Sequence, residues 1–294
     1  MDGNDGLARR FEAHRGHLRA VAYRMLGSLN EAEDAVQESW LRLSRVEPEE
    51  IGNLAGWLTT VVSRICLDQL RSRRARPEEP VGGQLPERVA GADEDADPER
   101  EALLVDSVGR ALLVVLDRLA PAERVAFVLH DLFAVPFDQI APIVERSPVT
   151  TKKLASRARL RVQGTPAVSG TRLAEHRRVV EAFLSAARGG DLTALLAVLA
   201  PDVVRRADPA VLPTGVAALT RGAASVARET MVLGRRARFA EPALVDGVVG
   251  VVVAPHGRLL LVLTVEVAAG RVAGYEVIAD PARLERLDLA VLSG

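Results

Sequence analysis

The sequence predicts a multidomain chain, two all-α domains followed by an α+β domain. Three observations carry that prediction. Apolar residues recur at helical spacing through most of the chain up to residue 163. An acidic stretch rich in Pro and Gly interrupts the helical part, and after Arg238 the composition changes to β-branched runs. At 294 residues one small core does not suffice, and 48% apolar residues supply several. Aromatics are only 3%, so Ala, Val and Leu do most of the packing.

The first helix is read from Leu7, Phe11, His14, Leu18, Val21, Ala22 and Met25. Asn30 can cap the second, EAEDAVQESWLRLSR, whose first turn carries Glu31, Glu33 and Asp34 near the positive helix end. Ala35, Trp40, Leu41 and Leu43 are expected to face inward, with Asp34, Gln37 and Glu38 as a polar ridge. That ridge is equally the pattern of a solvated face. Asn53 caps a third helix, with Leu54, Trp57, Leu58, Val61, Ile65 and Leu70 inside and arginines gathering at its end. Domain boundaries are expected at 1–77, an acidic linker at 78–100, a helical domain at 101–164 and the α+β domain at 171–294. In the middle domain, helices are expected at about 99–118, 121–130, 137–144 and 148–162.

Charge is segregated along a nearly neutral chain with 38 basic and 39 acidic side chains. Residues 64–76 carry five arginines against Asp68, a balance of +4. Residues 77–101 carry nine acids against two arginines, a balance of −7, and read as a flexible linker. Residues 146–161, RSPVTTKKLASRARLR, hold six lysines and arginines and no carboxylate. Ser147 is a good N-cap and Pro148 suits the first helical position. A short apolar helix, the turn Glu145-Arg146-Ser147 and this basic helix form a helix-turn-helix pattern, whose second helix enters the major groove. Thr150, Thr151, Lys152, Lys153, Ser156 and Arg157 are its polar side chains near the leading end. Leu154, Ala155, Ala158 and Val162 can face the core. The bland alternative is a solvated basic helix.

These segments resemble a known family. DAVQESWLRL followed by NLAGWLTTVVSRICLDQLRSR is similar to the second conserved region of the extracytoplasmic-function sigma factors of bacterial RNA polymerase. LDRLAPAERVAFVLHDLFAVPFDQIAPIVERSPVTTKKLASRARLRV resembles their fourth region, and HRRVVEAFLSAARGGDLTALLAVLAPDVV resembles the start of a SnoaL-like domain. The resemblance implies promoter-specific transcription initiation with core RNA polymerase and promoter DNA as partners. Glu31, Asp34, Gln37 and Glu38 would dock on the β′ clamp helices, with the β subunit also contacted. Asn53, Arg64, Arg71, Arg73 and Arg74 would engage the −10 element. Ser147, Thr150, Thr151, Lys152, Lys153, Ser156 and Arg157 would read the −35 element. Leu85, Pro86 and Glu87 form a regulatory linker motif, where Gln84-Leu85-Pro86-Glu87-Arg88 stands in place of the family's frequent Trp-Leu-Pro-Glu-Pro. The other reading is a standalone helix-turn-helix regulator with a ligand-sensing domain, which would bind its operator without polymerase.

The C-terminal domain starts with two helices within 172–199. Strands then follow, punctuated by Asp246-Gly247, His256-Gly257 and Ala269-Gly270 as hairpin turns, giving helices and antiparallel strands in an α+β layer. This agrees with the SnoaL-like cone, whose relatives include cyclases with apolar pockets. His176, Asp208, Glu266 and Asp280 are the acid–base candidates, none in a recognisable catalytic set, so a regulatory or small-molecule-binding role is expected and no enzyme activity. Where the sub-group often has Asp-Gly-Gly-Gly, this chain has Arg206-Ala207-Asp208-Pro209. No cofactor or metal is expected. The lone Cys66, the charged start and the lack of a long apolar run lead to the expectation of a cytoplasmic protein, monomeric when free, with no membrane contact.

Overall fold

The computed structural model describes residues 2–46, 51–75, 109–209, 212 and 217–292. The predicted linker, with Leu85, Pro86 and Glu87, lies outside them. The described residues fall into two compact units. The first holds 2–46, 51–75 and 116–160; the second holds 109–115 and the rest from 161 onward.

Helices build the first unit: α1 (Asp2–Leu26), α2 (Leu29–Leu43), α3 (Leu54–Ala75), the end of α4 (Arg110–Asp117), α5 (Pro121–Phe127), α6 (Phe137–Val144) and most of α7 (Pro148–Gln163). A π-helical stretch, Val128–Leu132, prolongs α5. Leu18, Tyr23, Met25, Leu43, Leu58, Leu67, Leu129 and Ile140 are fully buried, so residues from both sides of the acidic stretch share this unit. Phe133 receives the edge of His17 at 5.3 Å, and the guanidinium of Arg24 lies 5.2 Å from its centroid. Arg124, only 2% exposed, donates from Nη1 to Asp117 Oδ1 at 3.0 Å.

Three sequence expectations change here. The cap of α2 is Ser28, whose Oγ accepts from Glu31 N at 3.4 Å, and Asn30 lies inside the first turn. Leu41 does not face inward; it is 44% exposed, because the buried stripe runs through Ala32, Ala35, Val36, Ser39 and Leu43. Trp57 and Val61 are half-buried, since the core face of α3 follows Leu54, Leu58, Val62 and Ile65. Asn53 does cap α3, its Oδ1 accepting from Gly56 N at 3.1 Å.

The second unit opens with α8 (Gly170–Gly189) and α9 (Leu192–Val198), capped by Asp191. Next come β1 (Leu199–Ala207), β2 (Leu219–Arg221), α10 (Ala223–Leu233), β3 (Ala240–Val245), β4 (Val248–Val253), β5 (Leu261–Ala268), β6 (Arg271–Ile278), α11 (Pro281–Arg286) and β7 (Leu289–Ala290). The sheet order is β2-β1-β6-β5-β4-β3-β7. Strands β3 to β6 form the expected antiparallel meander, whereas β1 pairs with β6 in parallel. A parallel pair needs a long crossover, and the intervening α10 and meander provide it. Helix α10 has no counterpart in the sequence reading. Asp246-Gly247 and Ala269-Gly270 turn two hairpins with positive φ at both positions, as type I′ turns demand. The core packs Val180, Phe183, Leu184 and Leu195 on the inner face of the sheet.

Candidate polymerase and promoter interfaces

On α2, residues 34, 37, 38 and 41 share one face by helical spacing. Asp34, Gln37 and Leu41 are exposed, and Glu38 is half-exposed with its Oε1 accepting from Arg42 Nε at 3.0 Å. Glu31 stands apart from this ridge, paired with Arg73 of α3. Trp40, expected inside, packs its ring 5.1 Å from Phe11, which fixes the inner side of the helix. The ridge is therefore three polar side chains and one apolar one, displayed on a helix whose other face is fastened. Leu41 was missed as part of it, because a Leu one position from Trp40 reads as core.

The arginines of α3 are placed unequally. Arg73 pairs with Glu31 and donates to Leu26 O at 3.2 Å, so it ties α3 to the α1–α2 turn. Arg64 donates to Pro142 O at 3.3 Å, and Arg71 donates to Glu145 Oε2 at 3.2 Å. Both acceptors belong to α6 and its cap, within the same unit. Asn53 and Arg74 are exposed, Asn53 with its side chain engaged as a cap. Nothing in the sequence pointed to Glu145 as the partner of Arg71; pairing across 74 residues has no local signal.

The helix-turn-helix has the expected order: α6, then Glu145 in the left-handed conformation (φ 57°), Arg146, Ser147 and α7. Ser147 Oγ accepts from Thr150 N at 3.2 Å and lies 2.9 Å from Thr150 Oγ1. Lys152, Lys153, Ser156 and Arg157 are exposed, as are Ser147 and Thr150. Val149 and Leu160, each 68% exposed, extend the same surface. Thr151 is a correction: it is fully buried, and its Oγ1 donates to Ser147 O at 2.9 Å, so it locks the turn and offers nothing to a base edge. Ala155, Ala158 and Val162 are buried as expected and Leu154 is half-buried.

Of the four acid–base candidates in the second unit, Asp208 and Asp280 lie together, whereas Glu266 is on β5 and His176 on α8. Asp208 accepts from the backbone N–H of Ala279 (2.9 Å) and Asp280 (3.0 Å) and from Arg283 Nη1 (2.6 Å). Burial alone would raise its pKa, but those donors hold it below the usual carboxylate value. Asp280 caps α11, and Glu266 is exposed on β5. None of the four lines the cavity of about 110 Å³ between α8, α10 and the sheet.

The family profile for sigma-70 region 2 matches residues 10–76, and that for sigma-70 region 4 matches residues 109–162. The ECF RNA polymerase sigma factor SigJ of Mycobacterium tuberculosis is 42% identical over 82% of this chain and 78% of its own. The probable ECF sigma factor SigI of the same species is 35% identical over 98% of each chain. The crystal structure of M. tuberculosis SigJ superposes with a TM-score of 0.46 at 34% identity, covering 95% of this chain and 98% of that one. The chain belongs to the extracytoplasmic-function sigma factors of RNA polymerase. Within that family it is of the SigJ type, with helical regions 2 and 4 followed by a mixed-sheet domain. Sigma factors bind core polymerase and promoter DNA and are not, in general, enzymes. Among the described residues no helix is long and apolar enough to cross a membrane.

Proposed function

We propose that this sigma factor docks on the β′ clamp helices through Asp34, Gln37, Glu38 and Leu41, with its β-subunit contact made by the region 4 side of the first unit. Lys152, Lys153, Ser156 and Arg157, with Ser147 and Thr150 at the helix start, read the −35 element. Arg64, Arg71 and Arg74, with Asn53, meet the −10 element. The observation that carries the reading is that α2 and α7 each display a charged face that their own packing does not use. A ridge mixing carboxylates with one exposed Leu suits a partner with basic and apolar groups. Arg73 is assigned to holding α3 and Glu31 to holding Arg73. The C-terminal domain acts as a regulatory module without catalysis, since Asp208 and Asp280 are occupied at a strand junction and a helix cap and none of the acid–base candidates lines the cavity.

The docking and reading roles separate in one experiment. Asp34→Lys with Glu38→Lys abolishes co-purification with core polymerase while the circular dichroism stays native. Lys152→Ala, Lys153→Ala and Arg157→Ala together keep core binding and lose promoter-specific transcription. Normal core affinity of the first variant, or unchanged transcription by the second, rejects the corresponding assignment. A promoter duplex bound with full specificity in the absence of core polymerase overturns both.

A further inference from the structure

Strand β1 alternates inward through Val203, Arg205 and Ala207, and this places an arginine in an apolar core. Arg205 is 1% exposed. Its Nη2 lies 2.7 Å from Ala217 O, 2.9 Å from Thr220 Oγ1 and 2.6 Å from Glu229 Oε2, so its two N–H protons are shared among three acceptors. Its Nε and Nη1 carry three further N–H donors, which find no acceptor among the described residues. Orphaned donors on a buried charged group are costly, and native proteins rarely retain them without a ligand or ordered water.

Arg205 lines the cavity of about 110 Å³, whose other walls are chiefly apolar: Phe183, Leu184, Ala187, Val251, Leu261 and Val277. Thr230 and Tyr275 add two hydroxyls 3.0 Å apart. Thr230 Oγ1 lies 2.8 Å from Val226 O and gives its single proton there, so Tyr275 must donate to Thr230. No hydroxyl proton in this pair is left for a guest. The wall groups that keep donors are thus cationic: Arg205, whose Nε and Nη1 lie buried just beneath the wall, and half-buried Arg236. Two guanidiniums against the one carboxylate of Glu229 leave a balance of +1 around the space.

We propose that the cavity binds a small monocarboxylate with a compact apolar body, its carboxylate accepting hydrogen bonds from the spare donors of Arg205. The body is at most a small ring or a short alkyl chain, since the cavity of about 110 Å³ is smaller than the dry cavity of ~150 Å³ that holds benzene. The proposal deepens the reading of the C-terminal domain as a regulatory module and rests on it for its biological sense. Binding itself is measurable without that reading.

The test is calorimetric titration of the full chain with benzoate, phenylacetate and hexanoate, with benzyl alcohol and benzamide as uncharged counterparts. At least one carboxylate is expected to bind tighter than ~1 mM and at least tenfold better than either neutral compound. Arg205→Lys keeps a cation but loses the guanidinium donors, and weakens carboxylate binding at least tenfold. Ala187→Leu fills the space, leaves the Arg205 network untouched and abolishes binding. Where Arg205→Lys does not fold, Ala187→Leu and the wild-type comparison decide. No carboxylate bound at ~10 mM, or neutral and charged compounds bound alike, overturns the site. Binding confirmed with transcription by core polymerase unchanged keeps the site and overturns the regulatory reading.

Discussion

Cys66 shows how far one side chain can be removed from chemistry. It is fully buried on α3, and burial pushes its thiol up to about 12 against the partial relief of Arg124 and Arg73. An unfolded thiol ionises near ~8.5, so the folded state holds the proton more tightly. The stability this confers is fully present below that pH and declines as pH rises towards the folded value. At pH 8 the native chain should therefore resist iodoacetamide for hours and react at once in urea; rapid native alkylation would show that the α3 core opens readily. Arg205, like Arg124, is a buried charged side chain, and it was legible in principle. In VVRRA the strand alternation puts either Arg205 or Arg206 on the core face, with Val203 and Ala207 selecting the first. Thr151 was not legible. A Thr among lysines on a basic helix reads as surface, and only the turn geometry shows that Ser147 O claims its hydroxyl.

Among the elements, those with a strong local signal were readable and those defined by long-range pairing were not. Pro148 and Ser147 announce the start of α7, and Asp246-Gly247 and Ala269-Gly270 announce their hairpins, because caps and type I′ turns need particular residue types. The ridge on α2 was legible in its polar members but not in Leu41. The parallel place of β1 beside β6, and helix α10, carry no comparable marker; the partner of β1 is the last strand of the meander, far along the chain. Gly250 on β4 shows what that meander demands. A Cβ there would lie 2.6 Å from Leu263 O and 2.7 Å from Val245 Cγ2, so two neighbours would have to move. Gly250→Ala should destabilise the second unit by ~1–3 kcal/mol, lowering its melting temperature by about 2–4 °C per kcal/mol. Gly189→Ala, where a Cβ meets nothing within 4 Å, serves as control and should leave it unchanged or slightly higher. Equal behaviour of the two variants would mean that β4 and β5 are more loosely apposed than described.

At the scale of the molecule, the first unit joins what the sequence separates. Arg64 and Arg71 reach the helix-turn-helix at Pro142 and Glu145, and His17 meets Phe133. Of these contacts only Arg71–Glu145 is an ion pair, exposed and worth ~0–1 kcal/mol, so opening is resisted chiefly by the shared buried side chains and needs a partner that offers more. Labels at Arg45 and Gln139 should give one narrow distance distribution in the free chain and a longer one with core polymerase; an unchanged distribution would mean the unit binds polymerase closed. The same two arginines also bear on where idle molecules reside. A chromosome presents an enormous excess of unspecific phosphate, and a protein with many free cations is captured by it. Each guanidinium held by a carbonyl or a carboxylate of its own chain is one fewer counterion-releasing contact, worth about 0.9 in the salt exponent of unspecific binding. Glu145→Gln should steepen that exponent by at most about one, measured on a random duplex, since Arg71 then keeps only its weaker pairing with Asp68 at 3.9 Å. Internal pairing of this kind weakens the capture of unloaded copies by unspecific DNA without abolishing it, because Lys152, Lys153 and Arg157 of α7 stay exposed.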